Sequence, residues 1–270
     1  MRIDKVMLVF NKDWREIKRN KEVILPIIVL PFIFSIVLPF IISMIPAEQS
    51  DIGGLALLLA NLPDYARTEL QGMTNSQVIK YVMLVYFLAP FLLIIPIMAS
   101  SVIAADSFAG EKERKTIEAL LATPISDSEL FLGKVLVSFI PSMMVTVLAF
   151  AVYSAVVDVS MFTATGGRLL LPNMNWALTI FLLSPALAMA SISLTVMVSA
   201  RVRGFREAQQ ISAVLLLPIL GLVFSQITGI AFFGPIIILG LTAVLTAAAV
   251  IIFRVSVKVF GREQILQRLT

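Results

Sequence analysis

The sequence predicts an all-α membrane protein: six transmembrane helices, an amphipathic interfacial helix ahead of the first, and a charged helical loop between the second and third. Three observations lead there. Of 270 residues, 59% are hydrophobic and 14% charged, with mean hydropathy +0.98. A soluble domain carries about 25% charged residues, so most of this chain must face lipid. The uncharged runs are long enough to cross a hydrocarbon core of about 30 Å at about 1.5 Å per residue. Lysine and arginine also gather on alternate connections: with the amino terminus inside, 18 of the 21 fall on inner segments and only Arg67, Lys80 and Arg168 fall outside. That asymmetry places both termini in the cytoplasm and makes the span count even. The net charge of +4 follows the membrane and calls for no nucleic-acid partner. Residues 1–270 read as one transmembrane domain.

Residues 1–22 are basic and amphipathic. Ile3, Met7, Phe10, Trp14 and Ile17 form one apolar stripe, and Lys5, Lys12, Arg15, Lys18 and Arg19 fill much of the rest. Such a helix lies in the interface plane with its basic side toward anionic headgroups; the plainer alternative is a basic flank that only sets topology. It is no signal peptide, because the apolar run after it is of full span length.

The first span is 23–47, with Pro26, Pro31 and Pro39 as kink points. Residues 48–80 form an outer loop holding an apolar stretch, 52–62, too short to span and so interfacial or re-entrant. The second span is 81–105, with Pro90 and Pro96.

The loop 106–134, DSFAGEKERKTIEALLATPISDSELFLGK, is the longest charged segment between two long apolar runs. Its first half reads as a short helix. Glu111–Lys115 is a favourable i,i+4 ion pair, Arg114–Glu118 a weaker one, and Ile117, Leu120 and Leu121 form a small apolar face ending at Thr123-Pro124. Ser126 or Asp127 then caps a helix running into the next span. A two-signed helix held off the bilayer by two spans is a docking element. The lookalike GEKERKT is no phosphate-cradling loop, since Arg114 and Ala109 stand where that motif requires glycine.

The third span is 135–157, with Pro141, and Gly166-Gly167 lies in the loop after it. The fourth is 176–200, with Trp176 as an interface anchor, and 201–207 is a basic turn. The uncharged run 208–253 holds two spans, 210–225 and 235–253, broken near Gln226 to Pro235. A tail, 254–270, follows.

Gly110, Glu111, Glu113, Thr116, Glu118, Leu120, Leu121, Pro124 and Ser126, followed by Gly133-Lys134, resemble the cytoplasmic loop of ABC-transporter permeases of the type-2 exporter class. In that family the loop joins the second and third spans and carries the coupling helix that seats in the ATPase. The resemblance implies a connecting helix ahead of the first span and short re-entrant helices between the last two. It assigns ATPase coupling to Glu111, Glu113, Thr116, Ile117, Glu118, Leu120 and Leu121. It further implies a dimer of twelve spans, expected to be a homodimer in a prokaryotic cell membrane. Two separate cytoplasmic ATPase subunits would hold ATP and Mg and drive export by alternating access.

The chain has no His and no Cys, which excludes thiolate or imidazole metal sites, disulfides and Ser-His or Cys-His catalysis. It is expected to be no enzyme by itself, and to bind no cofactor or metal. No ionisable residue falls inside a predicted span, which argues against a self-standing ion-coupled carrier. Ser184, Ser191, Thr195 and Ser199 share one face of the fourth span, as helix-packing positions or as a weak substrate path. Spans rich in Leu, Ile, Val, Phe and Met suit a hydrophobic or amphipathic substrate taken from the inner leaflet. The alternatives are a sodium or other cation exporter of the same family, a self-standing channel or carrier, and a membrane assembly factor.

Overall fold

The computed structural model describes residues 2–44, 70, 72–116, 123–163, 165–202, 204–227 and 234–259. The described residues form helices joined by short turns: α1 (Ile3–Ile17) and six apolar helices of spanning length. These are α2 (Lys21–Met44), α3 (Asn75–Glu113), α4 (Asp127–Met161), α5 (Met174–Ser199), α6 (Phe205–Gln226) and α7 (Pro235–Val259). The expected short apolar segment 52–62 lies outside the described residues, as do Arg67, the connection at 228–233 and the tail beyond Val259.

Depth in the bundle separates the helices. Within their spanning windows, 72% of α3 and 67% of α5 is buried, against 11% of α2, 22% of α6 and 17% of α7. So α3 and α5 form the interior, and α2, α6 and α7 present apolar faces outward. Helix α4 packs along α3, α7 packs along α5, and α1 lies against α4.

Helix α3 runs further than its sequence suggests. Helix α3 does not stop at Ala105 but continues through a π-helical turn, Asp106–Gly110, to Glu113. It ends at Lys115, which takes a left-handed φ of 56°. The N–H of Lys115 then reaches the carbonyl of Lys112 at 3.2 Å, and that of Thr116 the carbonyl of Glu111 at 3.0 Å. This pair of bonds closes a helix by turning the chain left-handed. The expected helix through Leu121 is therefore interrupted at Lys115. Helix α4 starts at Asp127, and Ser126 is its cap: its hydroxyl accepts from Glu129 N–H, and the Glu129 carboxylate accepts from Ser126 N–H at 3.1 Å.

Helix α1 carries two adjacent apolar faces. Val6, Val9, Asp13 and Ile17 are buried against the bundle, whereas Ile3 and Met7 of the expected stripe are 72% and 46% exposed. With 3.6 residues per turn the two sets lie side by side, one on protein and one left for the interface. In α2 a π segment, Ile33–Val37, sits just before Pro39, where a wider turn makes room for the proline ring.

Near the start of α3, a second π segment, Val82–Phe87, offers three successive carbonyls to neighbouring helices. Tyr153 Oη of α4 donates to Leu84 O. Trp176 Nε1 of α5 donates to Val85 O at 3.0 Å, and Gln226 Nε2 of α6 to Tyr86 O at 3.3 Å. Trp176 is thus not an interface anchor. It is 1% exposed and stacks on Phe150 at 5.3 Å, because the widened turn offers its indole N–H a partner inside the bundle. Asp158, expected in a loop, is likewise buried at the end of α4, accepting from the N–H groups of Leu170 at 2.8 Å and Leu171 at 3.1 Å.

Candidate functional site

At the end of the bundle that carries α1, the helices α1, α3 and α4 meet on a buried ionic cluster centred on Lys134. Its ammonium has no exposed surface and lies 2.6 Å from Glu111 Oε2, 3.3 Å from Asp13 Oδ2 and 2.5 Å from Ser107 O. Ser107 Oγ donates to Asp13 Oδ2 at 2.6 Å. Lys12 pairs with the other oxygen of Glu111 and stands 3.1 Å from Asp13 Oδ1 and 3.3 Å from Glu16 Oε1. Two ammoniums thus face two fully buried carboxylates and one at the rim. The carboxylates of Asp13, Glu16 and Glu111 converge, but the Lys12 ammonium pairs with all three and Arg114 Nη2 lies 4.0 Å from Glu16 Oε2, so each carboxylate has a cationic partner. Buried charges persist only when so paired and hydrogen-bonded.

The electrostatics follow. Burial works against the charged form of Asp13, yet Lys134, Lys12 and the Ser107 hydroxyl outweigh it and hold the carboxyl below its ordinary value. Burial likewise opposes the charge on Lys12, and Asp13 and Glu111 more than offset it, raising its pKa. Arg114 is raised despite burial by its bond to Asp106, 2.8 Å away. Asp106 also accepts from Asn20 Nδ2 at 3.0 Å.

Close backbone approach makes these contacts possible. A Cβ on Gly133 would stand 2.7 Å from Val9 Cβ, so only glycine lets α4 approach α1 this closely. Gly110 sits under the Arg114–Asp106 pair, where a Cβ would meet Asp106 Oδ1 at 2.9 Å.

The same segment is fastened to the α5–α6 turn. Lys112 Nζ donates to Val202 O at 3.0 Å, and Glu113 accepts from Phe205 N–H at 2.9 Å. Glu113 therefore sits at the amino terminus of α6, where a carboxylate complements the helix dipole. Gly204 leaves it room: a Cβ there would come 2.5 Å from Glu113 Oε2. What emerges toward solvent is the turn at Arg114, Lys115 and Thr116, all exposed, held on three sides by α1, α4 and α6.

The residues assigned to ATPase coupling are therefore not equivalent. Glu111 is 0% exposed and pairs with Lys12 and Lys134 rather than with Lys115. Glu113 and Thr116 are exposed. Ile117, Glu118, Leu120 and Leu121 lie outside the described residues. Ser184, Ser191, Thr195 and Ser199 are all buried. Ser191 Oγ bridges α5 to Ile97 O of α3 at 3.0 Å, the interhelical packing role; Ser184 bonds within its own helix. The hydroxyls of Thr195 and Ser199 meet no partner among the described residues.

Sequence reasoning missed Asp13, Lys134 and Ser107. A signal existed for Asp13: it occupies the position in the Val6, Val9, Ile17 series where helical spacing calls for an apolar residue. Lys134 stood among the motif residues, but nothing local marked it as the buried partner of Glu111 and Asp13.

No curated protein matches the chain significantly. A family model does, that of the ABC-2 family transporter proteins, over residues 7–233, a stretch running from α1 through the ionic cluster and the whole of α6, up to the start of α7. Six apolar helices with this match make the chain a multi-pass membrane permease, a component whose family works with a partner ATPase. The chain belongs to the ABC-2 family of transporter proteins.

Proposed function

We propose that the chain is the membrane-spanning subunit of an ATP-driven exporter, with both termini in the cytoplasm, working as a homodimer with two ATPase subunits. The observation that carries this reading is the rigidly held turn at Arg114 to Thr116. It is exposed at its tip and clamped beneath by Lys12, Glu111 and Lys134. A transmission element needs that construction, because a displacement imposed on a loose loop is absorbed locally. Thr116, with Ile117, Glu118, Leu120 and Leu121, would make the ATPase contact. Glu113 would pass its movement to α6 through the bond to Phe205, and Glu111 would anchor it to α1 and α4. ATP and Mg reside on the partner. The cargo is hydrophobic or amphipathic, a choice supported by outward apolar faces on α2, α6 and α7 and by spans whose buried hydroxyls are engaged mainly in packing.

The test is co-purification with candidate ABC ATPases, followed by reconstitution of the complex that forms. The complex should hydrolyse ATP faster with lipids or lipophilic compounds than with sodium or potassium. Sodium-driven stimulation with sodium efflux, and no response to any lipophilic compound, would instead make it a cation exporter. Topology is checked separately. The chain has no cysteine, so Lys115→Cys should react only from the cytoplasm and Arg168→Cys only from outside.

A further inference from the structure

Between α5 and α7 lies a groove of about 560 Å³, lined by Phe181, Pro185, Met189, Thr246, Val250 and Phe253 among others, with Arg254 at one end. That volume falls within the roughly 300–1,000 Å³ of ligand pockets. Its walls are almost wholly apolar, and its one charge is cationic. The groove opens outward, not into the bundle: Phe181 is 68% and Val250 45% exposed.

The two helices run parallel. Ser256 Oγ of α7 donates to Ser193 O of α5 at 3.0 Å, which places Arg254 about two turns short of the end of α5. With the amino terminus inside, this is the cytoplasmic end. From Thr242 to Arg254 the groove runs roughly 18 Å at 1.5 Å per residue, close to half of a hydrocarbon core of about 30 Å. Its length is that of one leaflet.

Arg254 is exposed and forms no ion pair among the described residues. An arginine at this depth requires an anionic partner or must reach for the interface along its own stem. An apolar channel one leaflet long, ending on the cytoplasmic side in a guanidinium with no ion pair among the described residues, matches the shape of a lipid: an acyl chain below an anionic phosphate headgroup. Guanidinium and phosphate form bidentate bonds, and basic pockets between spans on this side are suited to anionic headgroups.

We propose that the α5–α7 groove is a binding site for one anionic phospholipid of the inner leaflet. The acyl chain lies along Phe181, Met189 and Val250, and the phosphate sits on Arg254. The inference is independent of what the protein transports. It does not require the groove to be the cargo path.

The test uses the full-length protein in phosphatidylcholine vesicles. A fluorophore is attached through Thr246→Cys, inside the groove, or through Val244→Cys, 66% exposed and outside it. The quencher is a small fraction of phosphatidylglycerol or phosphatidylcholine bearing a nitroxide on the acyl chain. At Thr246, phosphatidylglycerol should quench at about fivefold lower mole fraction than phosphatidylcholine, the order expected of one basic residue near a headgroup. At Val244 the two should quench alike. Arg254→Gln should abolish the difference at Thr246 while leaving the protein folded. Equal quenching at Thr246, or a preference that survives Arg254→Gln, would overturn the proposal. So would quenching that disappears as protein per lipid rises, because that would mean a second copy covers the groove.

Discussion

Replacing Lys134 by Met removes the charge from the cluster while keeping a side chain of similar length. Glu111 Oε2 and Asp13 Oδ2 lose their nearest cation, at 2.6 and 3.3 Å, and the carbonyl of Ser107 loses its donor. Lys12 remains, but it is 35% exposed and already shared among three carboxylates. Breaking a buried pair by removing one partner costs about 3–5 kcal/mol, because the surviving charge stays desolvated. At roughly 2–4 °C per kcal/mol for a chain of this order of size, Lys134→Met should lower the midpoint of thermal unfolding in detergent by about 6–20 °C. The diagnostic measurement is a mutant cycle. Lys134→Met with Asp13→Asn and Glu111→Gln removes both signs of charge together and should recover most of the loss, giving a coupling of about 1–3 kcal/mol. If Lys134→Met unfolds within a degree or two of wild type, or if the three changes simply add, the cluster does not hold the helix ends together. The account of a clamped transmission turn then fails with it.

Three further outcomes follow from the same structure. The depressed pKa of Asp13 stabilises the fold above the unfolded value of 3.8 and is lost as pH falls through the lower folded value. The raised pKa of Lys12 stabilises below 10.5 and is lost as pH rises beyond it, so the stability gap between wild type and Asp13→Asn should stay flat across about pH 5–9. A slope inside that window would show a cluster member titrating there. Gly133→Ala should cost about 1–3 kcal/mol by overpacking, since the new Cβ meets Val9 at 2.7 Å, and Val9→Ala should restore much of it; equal stability of Gly133→Ala and wild type would disprove the close approach. Trp176→Phe leaves the Val85 carbonyl without its donor and should cost about 0.6–1.7 kcal/mol, the range for interhelical bonds in membranes, read by unfolding in detergent with Tyr153→Phe as a parallel case.

Much of this protein is written in one dimension. A membrane offers no partner for a bare backbone, so every crossing segment must be a long apolar helix. The uncharged runs therefore located all six spanning helices without knowledge of their neighbours. The start of the last span at Pro235 was equally local and equally legible, and the cap of α4 was narrowed to Ser126 or Asp127, of which the structure uses Ser126. Where a helix stops is different when its end is held by distant residues. Helix α3 passes Ala105 because Asp106 finds Arg114 and Asn20, and because Glu111 finds Lys12 and Lys134, partners up to 99 positions away in the chain. Local i,i+4 pairing suggested Lys115 as the partner of Glu111. Burial decided otherwise, because the ammoniums of Lys12 in α1 and Lys134 in α4 compensate a desolvated carboxylate better than one exposed lysine at a left-handed turn.

The same holds for aromatic and small residues. Trp176 looks like an interface anchor in sequence, and only the π turn of α3 offers its indole a buried carbonyl. Gly133 stood in the motif and Gly204 in the basic turn, but neither showed there why glycine is needed. Their meaning appears once Val9 and the Glu113 carboxylate are seen to occupy the space a side chain would take. The sequence alone determined six apolar helices of spanning length with a charged turn between the second and third, because hydrophobic length acts on each segment separately. Tertiary structure decided which charges are buried, which residues clamp that turn and which face is left open beside Arg254. Those outcomes depend on distances between residues remote in sequence, set only when the helices pack.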